Sequence, residues 1–444
     1  MTLKLRRILS IIFVLLFIIT TPAIMLYAAG YRLDKNGYTV ERTGMFIIDS
    51  KPQGAKILID DQPQQTWVSA ISNKNNFLAT PAKIKNLLPG EYNLKIELDG
   101  YWSWQKKLTV YPGASTFAEN IYLFKNGLPL QIMPTDTATT SLLENNSQAA
   151  IITADRLTFI NLADETEKSI DQKGLSGKIF SWSTAQDKIV IDGYLYDLNN
   201  LSARIDLKKL TPNSFNYRWS NNILYYRDKN SLYRYSSSGA TAEKIMSGLT
   251  FGDYVVKDGY LYLISRTGQT ASLKIYNETN GQTIKEINLP ATANYTFINS
   301  DHSLLNLYDS DHKILYLISP LAFQPLVEVL NNIKIATWTN DNLLLYGNDF
   351  EIWLYDLNNK QKNLITRISD TINNAFLHPS KDYIIYSTEK SINSIELDNR
   401  EKRNSTELVK FDSINSLTLS PTGKILYFSG KIGNAQGLYK FLIQ

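Results

Sequence analysis

Leu343-Leu344-Leu345-Tyr346, a polar turn, and then Trp353-Leu354-Tyr355 is the stretch that decides the fold. An aromatic-rich strand, a short turn and a second strand ending in a Leu-Tyr pair form a hairpin, and the pattern recurs. Ile223 to Tyr226 with Leu232-Tyr233, and Leu304 to Tyr308 with Ile314-Leu315-Tyr316, are clear copies. Taking the residue after the leading aliphatic of each second strand, with Thr158 in that place in the first copy, gives Phe159, Tyr196, Tyr233, Lys274, Tyr316, Tyr355, Glu396 and Tyr439, at spacings of 37, 37, 41, 42, 39, 41 and 43 residues. A repeat near 40 residues with about four short strands per copy predicts a β-propeller. Eight hairpins in the 317 residues from Leu128 to Gln444 predict eight blades, or seven if two weak units merge. The last copy, Leu438 to Ile443, leaves no room for an outermost strand. Leu128 to Met133 is the expected donor, closing the ring and removing exposed sheet edges.

Upstream of several hairpins stands a further strand and turn, as in Phe180-Ser181-Trp182-Ser183, Tyr217-Arg218-Trp219-Ser220 and Ala336-Thr337-Trp338-Thr339. Pro421-Thr422-Gly423-Lys424-Ile425-Leu426-Tyr427 and Pro379-Ser380-Lys381-Asp382-Tyr383-Ile384-Ile385-Tyr386 resemble the Ser-Pro-Asp-Gly-Lys turn and strand of TolB-like WD40 propellers. That resemblance bears on fold, since propellers host many unrelated functions.

From Gly44 to Phe124 the chain reads as a β sandwich of five or six strands. Lys51 to Gly54 is a turn, and Ala55 to Asp60 places Ile57 and Ile59 inward against Lys56 and Leu58. In Glu91 to Leu98, Tyr92, Leu94, Ile96 and Leu98 share one face, and this period of two marks a half-buried strand. Asp99-Gly100 turns the chain into a returning strand from Trp102 to Val110. Ser50-Lys51-Pro52-Gln53-Gly54-Ala55-Lys56-Ile57-Leu58-Ile59-Asp60, with Thr80-Pro81, Leu88-Pro89-Gly90-Glu91-Tyr92 and Gly100-Tyr101, resembles a PEGA domain. It departs from the motif at Gln53, where the family has Glu, and in the insert from Gln62 to Ala79. The resemblance implies a non-enzymatic module of a bacterial cell-surface protein.

At the start of the chain Lys4, Arg6 and Arg7 precede an uncharged apolar run over residues 8–30. Roughly 20 apolar residues cross a hydrocarbon core of about 30 Å, so the run is long enough to span, and the basic flank predicts a cytoplasmic N-terminus. The competing reading is a cleaved signal peptide, with Ala28 and Gly30 as small residues before the cut. Either reading puts residues 31–444 outside the cytoplasm, with 31–43 as a linker.

The formal charge of +4 falls to +1 once Lys4, Arg6 and Arg7 are set aside, so nothing electrostatic favours nucleic acid. There are no cysteines, hence no disulfide framework and no thiol chemistry. The three histidines, His302, His312 and His378, fall in turns of the repeat and read as surface loop residues. His302 and His378 share one propeller face two blades apart, with His312 on the other. Asp187, Asp258, Asp301, Asp341 and Asp382 occupy the same class of turn, either ringing a mouth or serving only as turn formers. Trp102 and Trp104 lie two apart, so on one strand they share a face with Lys106 and would offer rings to a glycan or partner; the alternative is that they cover the core.

These readings give an all-β chain behind a transmembrane helix, with no cofactor, no metal and no catalytic residue assigned. It is expected to bind the lipid bilayer through residues 8–30 and a protein partner or cell-wall polymer through its β domains. The alternative is an extracytoplasmic enzyme acting on glycans or peptides in the propeller funnel.

Overall fold

The computed structural model describes residues 3–34, 37, 39–65, 77–134, 141–144, 147–236, 241–248, 251–268, 270–291, 293–298, 300 and 302–444, with the backbone alone at 3, 4, 141–144 and 251. By contacts the chain divides into two compact units. One comprises Met1–Leu128, Ser394–Leu408 and Ile443–Gln444; the other comprises Pro129–Asn393 and Val409–Leu442.

The first unit begins with a helix, Leu3–Ala28, interrupted in sequence only by Pro22. Its segment Leu5–Ala28 is long and apolar enough to cross a membrane by length and composition. Arg6 and Arg7 lie in its first turns, while the side chain of Lys4 is outside the described residues. A sandwich follows. One sheet orders Ala82–Leu87, Gly44–Lys51 and Ser115–Tyr122; the other orders Gln62–Pro63, Lys56–Ile59, Gly90–Glu97 and Trp104–Val110. Seven strands stand where five or six were expected, the two-residue Gln62–Pro63 being too short to carry an alternating pattern. Phe46, Ile48, Ile57, Leu94, Ile96, Leu108 and Val110 fill the space between the sheets. Leu58, expected outward, is buried as well.

Eight four-stranded sheets, here called blades 1 to 8, belong to the second unit except for Ser394–Leu408 of blade 7, which by contacts falls in the first. They cover Ser141–Asp171, Phe180–Asp206, Phe215–Met246, Phe251–Leu289, Tyr295–Leu330, Ile335–Arg367, Ile372–Lys410 and Ser413–Leu442. Each marker residue of the repeat lies in the third strand of its sheet, so the eight-blade count stands. Leu130–Pro134 pairs with Ala435–Leu442 as the outermost strand of blade 8, closing the ring as the sequence predicts. First strands of neighbouring blades touch, which puts them on the inside. The cores lie between blades: Tyr262, Leu273, Tyr295 and Leu307 join blades 4 and 5, and Leu315, Leu344 and Tyr355 join blades 5 and 6. Most of the sequence's tyrosines on strands serve this packing, as pleated half-buried positions favour.

Candidate functional site

In the first unit, Trp104–Val110 starts two residues later than expected, so Trp102 precedes the strand and does not share its face with Trp104. Trp102 is 39% exposed, whereas Trp104 is 6% exposed and belongs to the sandwich core. Trp104 Nε1 donates to Glu396 Oε2 at 2.8 Å. Lys106, whose side chain is 0% exposed, forms an ion pair with the other oxygen of the same carboxylate. Asn404 N–H also donates to Glu396 Oε1 at 2.8 Å, and Lys106 Nζ donates to the Asp398 carbonyl at 2.9 Å. Glu396 thus accepts from three donors, which offsets the cost of burying its carboxylate. Burial opposes ionisation of Asp398, yet the bonds from Arg400 and the charge of Lys106 hold its carboxyl below the usual range. Arg400 also donates to the Phe117 carbonyl at 2.7 Å, and Lys107 N–H to Glu401 at 2.7 Å. Residues Glu396, Asp398, Arg400 and Glu401 are thus fastened to the sandwich, and the ring of Trp104 is buried.

In the second unit, the turns between first and second strands gather at one mouth of the ring. Three of them share a local design. Ser183 Oγ accepts from Lys188 N–H at 2.9 Å, and Ser420 Oγ from Ile425 N–H at 3.1 Å. In blade 7, His378 takes the corresponding position, its Nδ1 accepting from Ser380 N–H at 3.1 Å. The turns then reach across to the next blade. Asn222 Oδ1 accepts from Ala185 N–H at 2.8 Å, linking blades 2 and 3. Lys257 Nζ donates to the Ser300 carbonyl at 2.9 Å and to that of His302, linking blades 4 and 5.

His302 and His378, expected in surface loops, are buried at 6% and 2% exposure. In each ring Nδ1 accepts a backbone N–H of its own turn, so the proton sits on Nε2. His302 Nε2 donates to the Asp341 carbonyl at 2.8 Å, and His378 Nε2 to the Gly423 carbonyl at 2.9 Å. Both histidines therefore fasten one blade to the next. Gly423 has φ of +74°, and a Cβ there would stand 2.7 Å from His378 Nε2, so the glycine serves both turn and fastening. His312 lies in the following turn, as read from sequence, with Nδ1 2.7 Å from Asp309.

Of the turn carboxylates, Asp187 accepts from Ser183 Oγ at 3.0 Å, Asp258 is exposed, and Asp301 is outside the described residues. Among the described residues no three His, Cys, Asp or Glu side chains are placed to hold a metal ion. Deeper on the inner strands, Arg218 pairs with Asp253 at 2.6 Å, and Asp253 also accepts from Asn216 and from Phe297 N–H, each at 2.7 Å. That pair ties blades 3, 4 and 5 together and is itself buried.

At the same mouth, blades 2 to 5 enclose a recess of about 400 Å³. Trp182 and Trp219, half-buried at equivalent positions of blades 2 and 3, line it with Thr184, Ser220, Asn221 and the Lys257-Asp258 turn. Trp219 Nε1 donates to the Ser181 carbonyl of the preceding blade at 3.1 Å, which lays the indole along the wall. Trp338 is the equivalent residue of blade 6 and donates likewise to Asn306, at 3.1 Å. Its face, however, is covered by His302, 3.5 Å away and 4° from parallel. Sequence reading assigned Trp182 and Trp219 to blade strands and overlooked the recess. Their recurrence one position before the turn was the signal that could have found it.

No family model matches the chain, and no curated protein sequence matches it. Among solved structures it is similar to the Dos1 propeller, at 12% identity over 71% of this chain and 95% of that one with a TM-score of 0.49. It is similar to a eukaryotic initiation factor at 12% identity over 71% and 90% with a TM-score of 0.47. It is also similar to Porphyromonas gingivalis dipeptidyl peptidase 4 at 12% identity over 68% and 59% with a TM-score of 0.49. At these levels the likeness is one of fold alone.

Proposed function

We propose that this chain is a non-catalytic, membrane-anchored protein of a bacterial cell envelope that binds a protein partner or cell-wall polymer outside the cytoplasm. The helix Leu3–Ala28 is the anchor, its basic flank on the cytoplasmic side. The sandwich, with its PEGA-like motifs, is a spacer or wall contact, and the propeller is the effector end. One observation carries the reading. The groups that would do chemistry, His302, His378, Glu396 and Asp253, are each committed to internal bonds, leaving shaped surface as what the molecule presents.

The test is fractionation and crosslinking of the full chain in intact cells. The reading expects the chain to resist alkaline extraction from membranes, to be cut by external protease, and to crosslink to an envelope component. Recovery in the cytoplasm, or turnover of a glycan or peptide by the purified chain, would contradict it.

A further inference from the structure

We propose that the recess over blades 2 to 5 binds an uncharged glycan segment, with the indoles of Trp182 and Trp219 stacked against pyranose faces. The proposal deepens the binding role given above and rests on it. Four observations lead here. At about 400 Å³ the recess falls in the range of about 300–1,000 Å³ typical of small-ligand sites, well above a packing defect.

Its wall carries two indoles at equivalent positions, whereas the third such indole, Trp338, is already capped by His302. Trp182 and Trp219 also pack against the interblade cores, Trp182 meeting Phe159 edge-on at 6.4 Å, so each presents to the recess the part of its ring that this packing leaves uncovered. Hydroxyl and amide groups stand beside the rings. Thr184 is exposed, and Thr184, Ser220 and Asn221 make no side-chain hydrogen bond described in the structure. A sugar presents this combination, an apolar C–H face flanked by hydroxyls, and an aromatic ring with adjacent polar groups is its complement.

The fourth observation is charge. Lys257 and Asp258 are the charged residues of the lining and cancel, and Lys257 Nζ is already bound to two backbone carbonyls. A phosphorylated or polycarboxylate ligand would find no uncommitted cation, and its charge would be desolvated without compensation. An extended peptide is the competing occupant. It would use the inner strand backbones more than the rings.

The experiment is calorimetric titration and tryptophan fluorescence of the full chain in a detergent without a sugar headgroup. The probes are cellotetraose, maltotetraose and tetra-N-acetylchitotetraose, with N-acetylated, C-amidated tetra-alanine as the peptide. We expect saturable binding of at least one oligosaccharide at millimolar concentration or below. We expect affinity to fall by about tenfold or more in Trp219→Ala, as for an aromatic anchor. Because Trp219 also bonds to Ser181, Thr184→Arg supplies a second variant, filling the recess from an exposed position, and should abolish binding. Trp102→Ala should leave it unchanged.

Absence of saturable binding by all three sugars, binding indifferent to Thr184→Arg, or binding of the peptide in their place would overturn the proposal. Failure here is distinguishable from failure of the broader reading: a crosslinked envelope partner retained by the Thr184→Arg chain would sustain that reading without the glycan site.

Discussion

The Glu396 hub and the recess over blades 2 to 5 are opposites in how they use polar groups. At the hub, a fully buried lysine, an indole N–H and a backbone N–H converge on one carboxylate, and the Asn404 side-chain amide nitrogen beside it is the polar atom left buried without a partner. In the recess, hydroxyls, an amide and indole faces line open space without being consumed. A satisfied polar network rigidifies, whereas an unsatisfied polar wall around a ligand-sized volume is an invitation. Trp104 and Trp219 illustrate the difference: the same residue type is core in one place and wall in the other.

The sharpest way to break the comparison is to remove half of the hub. Glu396→Ala leaves the buried Lys106 with only Asp398, at 3.4 Å, as counter-charge and should cost about 3 kcal/mol, the low end for breaking a buried pair. Replacing both, as Lys106→Met with Glu396→Leu, removes the buried charge but leaves the Trp104 and Asn404 N–H donors without their acceptor, so it should recover only part of that loss. Denaturant unfolding of the three chains is the check. Equal stability of Glu396→Ala and the parent would show that the hub is not buried. The same reasoning predicts that a fragment lacking 44–124 strands Glu396 without Lys106, so loss of binding in such a fragment would report on folding first.

The next effect belongs to the mouth. Gly423→Ala forces a side chain into left-handed backbone and against His378, and should cost about 1–3 kcal/mol. Gly433→Ala, also at positive φ but with nothing within 4 Å of the added Cβ, should cost less. Thermal midpoints of the pair separate the steric contribution from the backbone one.

A broader effect follows from the interblade tyrosines. Burial, the largest cause in each, pushes the hydroxyls of Tyr196, Tyr262, Tyr346 and Tyr355 up to about 12. In the unfolded chain they ionise near 10. The folded values being raised, this stability is whole below pH of about 10 and is lost as pH climbs from there towards about 12. Tyrosinate absorbance and circular dichroism followed through alkaline titration should change together. Gradual ionisation within an intact fold would contradict the placement of these rings between blades.

The smallest expected effect on stability is in the recess. Thr184→Arg, on an exposed turn, should shift unfolding by no more than about 0.5 kcal/mol. A loss comparable to that at the hub would mean that the recess is part of the core.

Much of the architecture was legible because it is local or periodic. The marker residues near every fortieth position, five of them in Leu-Tyr pairs, pointed to the third strand of each blade, and the missing outermost strand at the C-terminus pointed to Leu128 to Met133 as its donor, where the structure has Leu130–Pro134. What escaped is what depends on distant neighbours. Trp104 looked like an available ring because its partner Glu396 lies 292 positions away and no local pattern announces it. His302 and His378 read as loop residues because the carbonyls that bury them belong to the next blade, 39 and 45 positions on. The recess escaped for the same reason, being assembled from turns of four different repeats.

The measurement that tests this account most directly is hydrogen exchange of the intact chain with and without each of the three oligosaccharides. It predicts protection confined to 182–186, 219–221, 255–258, 297–298, 300 and 304–306, with 101–108 unchanged. Protection at 101–108 instead, or none with any of the three, would contradict it.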